Sequence, residues 1–472
     1  MINNKSLTLL INTIFLVVAL IFLSIYNTNT NLANIESISV FGILVILFIV
    51  ISWRYVYFRV FSPYIVFVCS LYLCLCGQSV MWALNMEAGF RDLRENSFWG
   101  IKKYEITNGL LYSYLCLLVL HFTTVSYLRN NGHYRQVKIF NKIDGIKVGK
   151  YIVNFGWLLV FVSIVPYLFV SYMQYAVVSK VGYIDQYANM NVSSALSQFS
   201  DYLCVGILML LFAKERGMIT KYSIHVYIIT LLYLLIELQL GHRTPIILFF
   251  IAILFIFFSK KNIKLKWVIC TIIIGFVGMA LMRCVVLIRE GTINDLNDLL
   301  VFLGDKKSSP VVDFLGDIGW NIFSLINVQR LIPAHYEYSN GFSYLISLTS
   351  IFPNLGFWEE HPASVYGALG NWLQRELGLS FGAGFTPIAE SFYNFGWLGI
   401  LVFYFWGRFC IFLNQLFEKK NNELSFLLLI ILIGVVFKSA VRSSFLAFFK
   451  PAFFFCFLPI LLLYYFVSIR KN

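Results

Sequence analysis

The chain has 472 residues, of which 59% are hydrophobic and only 12% are charged. Soluble domains carry about a quarter charged residues, so this composition excludes a soluble globular protein and indicates a membrane protein. The net charge of +13 does not indicate a nucleic-acid partner, because the basic residues separate apolar runs and build no continuous basic face. We therefore expect the lipid bilayer to be the main solvent.

Apolar runs of about 20 residues, the length that crosses a bilayer as a helix, recur from end to end. Backbone polar groups cannot face lipid unpaired, and no alternating strand pattern is present, so the runs predict an all-α polytopic fold. The N-terminal run is interpreted as the first span because it is too long for a secretory leader. About twelve spans are predicted, at residues 7–25, 38–53, 62–83, 108–127, 151–173, 198–213, 222–240, 245–259, 267–288, 393–413, 425–440 and 446–468.

The basic residues between the spans predict the orientation of the chain. Seven basic segments fall on one side if twelve spans alternate, and the positive-inside rule makes that side the cytoplasm, with both termini inside. One outer loop runs against the trend, with Arg91, Arg94, Lys102 and Lys103. All nine cysteines fall in predicted spans, so neither a disulfide framework nor a zinc site is indicated.

Three regions follow from this pattern: residues 1–288 with nine spans, residues 289–392 as one large extracytoplasmic loop, and residues 393–472 with three spans. The loop is too long for a simple connector. Helical periodicity over residues 311–330 and 363–378 predicts short helices in it. We expect these helices to lie on the membrane surface and to roof a cavity.

Cations cluster at the predicted outer ends of three late spans, where the positive-inside rule disfavours them. The seventh span ends with Glu237, His242 and Arg243, the ninth with Arg283, Arg289 and Glu290, and the eleventh with Lys438 and Arg442. Arginine forks bind phosphate oxygens in bidentate fashion and lysine adds a compact charge, so a pocket of these groups would bind a lipid-linked diphosphate. Alternatively, each cation extends to lipid headgroups or pairs with a carboxylate such as Glu237 or Glu390.

The large loop supplies groups that suit sugar chemistry. Its aromatic residues Trp320, Tyr338, Trp358 and Trp372 could contact glycan, although tryptophan and tyrosine also populate membrane interfaces. Among the histidines, His242, His335 and His361 lie on the outer side and could each remove a proton from a sugar hydroxyl. No nucleotide-binding loop, zinc-protease motif or hydrolase elbow is present, and the acidic residues show no spacing typical of a metal site.

Three segments together resemble a known family. They are Gly241-His242-Arg243-Thr244, YEYSNGFSYLISLTSIFP at residues 336–353, and GAGFTPIAESFYNFGWLG at residues 382–399. With many spans and a late outer loop, they resemble the Wzy-type O-antigen and capsular oligosaccharide repeat-unit polymerases. The resemblance covers the second half of the chain, and the first half matches only as a run of spans.

The resemblance implies a metal-independent glycosyltransferase of the bacterial inner membrane that needs no cofactor. Such an enzyme transfers a growing glycan from undecaprenyl diphosphate to the non-reducing end of a new lipid-linked repeat unit. Arg243 corresponds best to the family's diphosphate-binding arginines, whereas Arg283, Arg289, Lys438 and Arg442 are assigned by location. His361 or Glu390 would activate the acceptor. A flippase and a chain-length regulator would be partners.

Two other functions stay open at the level of sequence. A ligase that passes finished glycan to another acceptor would have the same architecture. A lipid-linked oligosaccharide flippase or secondary transporter would also have about twelve spans. Transporters, however, usually keep loops short and place charges near the midplane between repeats, whereas here the charges lie at outer ends and one loop is long.

Overall fold

The structure is a computed structural model, and every regular element in its described part is helical. It describes residues 4–28, 34–57, 59, 61–86, 92–94, 100–128, 145–189, 193–219, 223–240, 242–258, 278, 310–354, 356–379, 382–419 and 421–469. Helices of the first half are α1 Asn4–Thr28, α2 Ile35–Tyr57, α3 Pro63–Ala83, α4 Lys103–Ser126, α5 Gly145–Asn189, α6 Ser194–Glu215, α7 Ser223–Gln239 and α8 Arg243–Phe258.

The second half contains shorter helices and several irregular turns. Its α-helices are α9 Pro310–Gly319, α10 Ile322–Leu331, α11 Phe342–Leu348, α12 Pro362–Tyr366, α13 Leu369–Glu376, α14 Pro387–Phe395, α15 Phe403–Glu418, α16 Glu423–Ile431, α17 Phe437–Arg442, α18 Phe445–Pro451 and α19 Leu458–Ile469. Thr349–Ile351 and Gly396–Val402 form 3₁₀ turns, and Leu432–Val436 and Ala452–Phe457 form π-helical turns.

Nine helical stretches in the described part are long and apolar enough to cross a membrane. They are Ile35–Tyr57, Pro63–Ala83, Lys103–Ser126, Val148–Val177, Ala195–Glu215, Val311–Leu331, Pro387–Glu418, Glu423–Arg442 and Phe445–Ser468. All but Val311–Leu331 overlap predicted spans, while the predicted spans 7–25, 222–240 and 245–259 are shorter apolar helices. The count of about twelve stays a prediction, because residues 267–288 lie almost entirely outside the described part.

Local sequence explains where the helices begin. Ser62 accepts the Ile65 amide at 3.3 Å and is followed by Pro63, and Thr386 accepts the Ala389 amide at 3.1 Å and is followed by Pro387. A hydroxyl cap followed by proline in the first turn satisfies helix donors that have no internal partner. The apolar stretch Pro387–Glu418 therefore starts before the predicted span 393–413, so Glu390 lies on a helix.

The chain forms two compact units, and the first comprises Met1–Val137, Val311–Glu418 and Ser439–Phe449. Within it, α4 packs against α1, α2, α3, α10 and α15. Small residues allow these close contacts: Gly109 of α4 meets Ile326, and Gly407 of α15 meets Thr123 of α4. Helix α4 is therefore the central element of this unit.

Helix α10 lies in the segment for which the sequence predicts short helices that roof a cavity on the membrane surface, and it is packed closely into the first unit. Seven consecutive residues, Ile322–Val328, are buried, and the helix packs against α3, α4 and α14. Its polar side chains are satisfied locally, because Asn327 donates to the Phe323 carbonyl at 2.9 Å and Ser324 to the Asn321 carbonyl at 2.9 Å. Polar residues with internal partners can be buried at little cost, so Ser324 and Asn327 do not prevent the burial of this helix.

The second unit comprises Lys138–Pro310, Lys419–Lys438 and Lys450–Asn472. Helices α5 and α6 pack closely, with Gly206 against the Gly156 carbonyl and Val160. The outer side of α5 carries exposed apolar residues, including Phe161 at 71% and Val165 at 70% exposure. Exposed apolar side chains of this kind on a long helix are expected where the solvent is lipid.

Candidate functional site

The predicted diphosphate-binding cations fall on helix ends where their positions are described. Arg243 is the first residue of α8, and Lys438 and Arg442 both lie in α17, where each is exposed. Arg283 and Arg289 lie outside the described residues. From the end of an apolar helix, a long charged side chain can reach the membrane–water interface.

Arg442 is held by an asparagine in the first unit. Its Nε donates to Asn321 Oδ1 at 2.8 Å, and Asn321 Nδ2 donates to the Ile318 carbonyl at 2.6 Å. The second bond fixes the amide so that its oxygen faces Arg442. Among the described residues Arg442 makes no ion pair, so an exposed guanidinium is positioned there without a carboxylate.

Glu390 is fully buried and serves as an acceptor for two elements. Its Oε1 accepts the Ser343 hydroxyl at 2.8 Å, and its Oε2 accepts the backbone amide of Phe445, the first residue of α18. Asn394 Nδ2 also donates to Ser343 Oγ at 2.8 Å. The carboxylate thus joins α14 to α11 and to the segment that follows Arg442, and no sugar hydroxyl reaches it in this arrangement.

His361 caps a helix. Its Nδ1 accepts the Ala363 amide at 3.1 Å, and its Nε2 lies 3.0 Å from the Phe352 carbonyl. Since Nδ1 accepts, Nε2 carries the hydrogen and donates to that carbonyl. Both ring nitrogens are therefore engaged within the loop that contains α12.

The corner around Gly241-His242-Arg243 belongs to the second unit and is organised by Glu237. The Tyr167 hydroxyl donates to Glu237 Oε1 at 2.9 Å, and His242 Nδ1 lies 2.9 Å from Glu237 Oε2. The His242 amide also donates to the Glu237 carbonyl at 2.9 Å. These contacts fix the residue directly before Arg243, whose backbone opens α8.

The four aromatic residues predicted to contact glycan have different surroundings. Trp372 packs edge-on against Tyr336 and Tyr393, with ring centroids at 5.7 Å and 5.0 Å. Trp320 stacks on Phe323 at 5.2 Å, and Trp358 is 38% exposed beside the ring of His361. Of the four, only Tyr338 lines a cavity, which lies at the start of α4.

A cavity of about 570 Å³ opens in the first unit where α4 begins, and we call it the α4 cavity. Its polar lining includes Tyr104, Glu105, Asn108, Gln329, Arg330 and Tyr338. Arg330 Nε lies 3.3 Å from Glu105 Oε1, and Glu105 Oε2 accepts the Lys102 amide at 2.7 Å. The second bond caps the start of α4 from its own first turn; the pairing with Arg330 had no signal in the sequence.

Arg94, one of the cations that ran against the predicted orientation, is neutralised by acidic neighbours. Its Nη2 lies 3.0 Å from buried Asp92 Oδ2, and its Nη1 lies 3.6 Å from Glu36. Asp92 also accepts the indole of Trp82 at 3.0 Å. This arginine therefore joins Asp92 to Glu36 at the start of α2 and carries little weight as evidence on orientation.

Comparison with protein families confirms the resemblance noted in the sequence and extends it. The profile described as O-antigen polysaccharide polymerase Wzy matches residues 10–472, nearly the whole chain. No curated protein and no solved structure matches the chain. Together with the apolar helices, the match makes this a multi-pass membrane protein of polysaccharide biosynthesis. The chain belongs to the O-antigen polymerase Wzy family, whose members are glycosyltransferase-type polymerases of lipid-linked oligosaccharide repeat units.

Proposed function

We propose that this protein joins undecaprenyl-diphosphate-linked repeat units at the outer face of the bacterial inner membrane. A hydroxyl oxygen of the acceptor unit attacks the anomeric carbon of the donor glycan. The carbon–oxygen bond to the diphosphate breaks, and undecaprenyl diphosphate leaves with the electron pair. The family match over residues 10–472 is the observation that carries this proposal.

The proposed role of the cations is to stabilise the leaving group. Negative charge builds on the diphosphate as the glycosidic bond breaks, so prepositioned guanidinium groups stabilise the transition state more than the ground state. Arg243 opens α8, where the first-turn amides and the helix dipole add positive potential. Arg442 supports the same role because it is exposed and makes no ion pair within the described residues. Lys438, Arg283 and Arg289 complete the proposed set.

The acceptor hydroxyl must lose a proton, and His361 and Glu390 are the proposed bases. The His361 ring takes the proton only after Nδ1 releases the Ala363 amide. Glu390 takes it only after the packing that buries it opens. Either group therefore acts as the base only after a rearrangement in the substrate-bound state. Catalytic hydrogen bonds often reach their productive geometry only when the substrate is bound.

The proposed orientation places both termini in the cytoplasm and the α4 cavity on the outer side. In that orientation the repeat units arrive already flipped, so a flippase supplies the substrate and a chain-length regulator sets the product size. The lipid diphosphate already stores the energy of the new bond, so the reaction as proposed uses neither nucleotide nor metal ion.

The test is elongation by purified protein in detergent, with its own lipid-linked repeat unit as the only substrate and with EDTA present. Wild type should give a ladder of longer glycans. Arg243→Ala should give no ladder, although the variant protein should still insert into the membrane and purify as a monodisperse species. Arg408→Ala is the matched control, because Arg408 stacks on the Tyr127 ring, 4.1 Å from its centroid, at the opposite end of α4 from the cavity. A full ladder from Arg243→Ala would refute the assignment of that arginine.

A further inference from the structure

The α4 cavity has the size of a ligand site. Its volume of about 570 Å³ falls within the range of roughly 300–1,000 Å³ typical of pockets for small organic ligands. It is bounded by the first turns of α4, the end of α10 and the segment from Ile332 to Tyr338. The proposed polymerisation reaction assigns no role to this space.

The charges of the lining argue against a diphosphate. Arg330 is the one lining arginine, and Glu105 lies 3.3 Å from it. A carboxylate beside the only lining guanidinium opposes its attraction for an anion. The cavity therefore differs from the exposed, carboxylate-free position of Arg442, and it favours a ligand that is polar and nearly uncharged.

The side-chain amide of Gln329, a lining residue, has no hydrogen-bond partner among the described residues. Its side-chain nitrogen and oxygen are both shielded from solvent. A buried amide without partners is costly, and such groups are rare in native proteins. An amide presents both a donor and an acceptor, and a sugar hydroxyl matches both because it donates and accepts.

Aromatic rings supply the apolar part of the lining. Tyr338 and Trp397 both pack edge-on against Phe392, with centroids at 6.3 Å and 6.2 Å, and all three line the cavity. Tyr104 lines the mouth and is 40% exposed. Ring faces stack on the C–H faces of pyranose rings, while amides and carboxylates bind the hydroxyl edges. Such pockets combine apolar walls with few polar groups that fix orientation.

We propose that the α4 cavity is a saccharide subsite, which binds a sugar of the repeat-unit glycan separately from the diphosphate cations. This inference rests on the proposed function, because it takes the glycan of the lipid-linked repeat unit as the ligand. When the Gln329 side chain turns toward the cavity, its amide binds hydroxyl groups of that sugar, and Tyr104 stacks at the mouth. The subsite accordingly contributes to the choice of repeat unit.

The experiment measures binding of one repeat-unit oligosaccharide, freed from its lipid diphosphate by mild acid, to purified protein by calorimetry. Gln329→Leu should bind the oligosaccharide about tenfold more weakly, because two hydrogen bonds to a neutral amide are lost. Its thermal midpoint should equal or exceed that of wild type, because an unpaired buried amide is replaced by an apolar group. Gln198→Leu, the same change in α6 of the other unit, should bind as wild type does.

Tyr104 gives a second variant whose folding is not in question, because its ring is 40% exposed. Tyr104→Ala should weaken oligosaccharide binding several-fold, and Tyr104→Phe should retain it. Inorganic pyrophosphate should not displace the oligosaccharide. Absence of binding to wild type, wild-type affinity in both Gln329→Leu and Tyr104→Ala, or displacement by pyrophosphate would each overturn the subsite. Polymer formation by wild type in the elongation assay is scored separately, so the subsite can fail while the polymerase function stands.

Discussion

The carboxylate of Glu390 accepts the backbone amide of Phe445, and this bond ties α14 to the segment that carries Arg442. The same carboxylate accepts the Ser343 hydroxyl at 2.8 Å. In Glu390→Gln only one side-chain oxygen remains to accept a hydrogen bond. The new NH2 group then faces either the Ser343 hydroxyl or the Phe445 amide, both of which donate to Glu390 in the wild type. We expect a loss of about 1–3 kcal/mol in stability, the usual penalty for an unsatisfied buried group.

The measurement is the thermal midpoint of purified protein in detergent, followed by the glycan ladder at a temperature where the variant is folded. Glu360→Gln is the control, because Glu360 is exposed. The ladder also tests the alternative role of Glu390 as the base. A variant of unchanged stability that makes no polymer would show that the anchoring role described here is wrong and that Glu390 acts in the chemistry.

Asn321 should matter for activity through Arg442. In Asn321→Ala the guanidinium loses the acceptor that lies 2.8 Å from its Nε, so its position over the proposed diphosphate is no longer fixed. We expect about a five- to tenfold lower elongation rate, equivalent to roughly 1–1.5 kcal/mol, the contribution of one ordinary hydrogen bond at a solvent-exposed site. Arg442→Ala should be more severe.

The double variant Asn321→Ala with Arg442→Ala decides how the two residues act. If Asn321 works through Arg442, the double variant is no slower than Arg442→Ala alone, because the coupled contributions are not additive. If the fold reductions in elongation rate of the two single variants multiply in the double variant, Asn321 acts independently of Arg442. Arg408→Ala again serves as the control for loss of an arginine.

Hydropathy was sufficient to predict the all-helical architecture, because apolar runs of bilayer length leave the backbone no other solution. It did not indicate how closely α10 packs, where Ser324 and Asn327 satisfy their side chains on the preceding turn and are buried with their neighbours. A polar residue with a local partner looks solvent-exposed in the sequence. The pattern therefore predicted a helix at this position but not its packing against α4.

The candidate site was predictable only in part, for a similar reason. Charge placement marked Arg442 and Arg243, since isolated cations in apolar chains are visible in the sequence. The pairing of Arg330 with Glu105 was not, because it depends on how α10 packs beside α4. For His361, the sequence signal is the following Pro362, since proline in the first turn marks a helix start and the residue before it as the cap.

His361 caps α12 and is also a proposed base, and one substitution distinguishes these two roles. Asparagine accepts a helix amide well at this position but cannot act as a general base near neutral pH. If the ring serves mainly as the acceptor for the Ala363 amide, His361→Asn should keep at least a third of the wild-type elongation rate. His361→Ala should lower stability by about 0.5–2 kcal/mol.

Elongation rates of the two variants, measured across pH 6 to 8, are the check. Equal and near-complete loss of polymer in both, with thermal midpoints close to wild type, would establish His361 as the base and displace the capping interpretation. A wild-type profile retained by His361→Asn would instead leave proton removal to another group in the substrate-bound state.

Glu237 should stabilise the corner that leads into Arg243. Glu237→Ala leaves the Tyr167 hydroxyl and the His242 ring without the oxygens that lie 2.9 Å from each. Because Glu237 is buried, we expect stability to fall by about 1–3 kcal/mol and elongation to fall with it. The matched control is Glu215→Ala, which removes a half-buried carboxylate that accepts the Tyr227 hydroxyl at 3.3 Å, and stability should change by less than about 1 kcal/mol. If Glu237→Ala retained both stability and rate, the corner would not depend on this carboxylate, and the position of Arg243 would have to be fixed by the start of α8 alone.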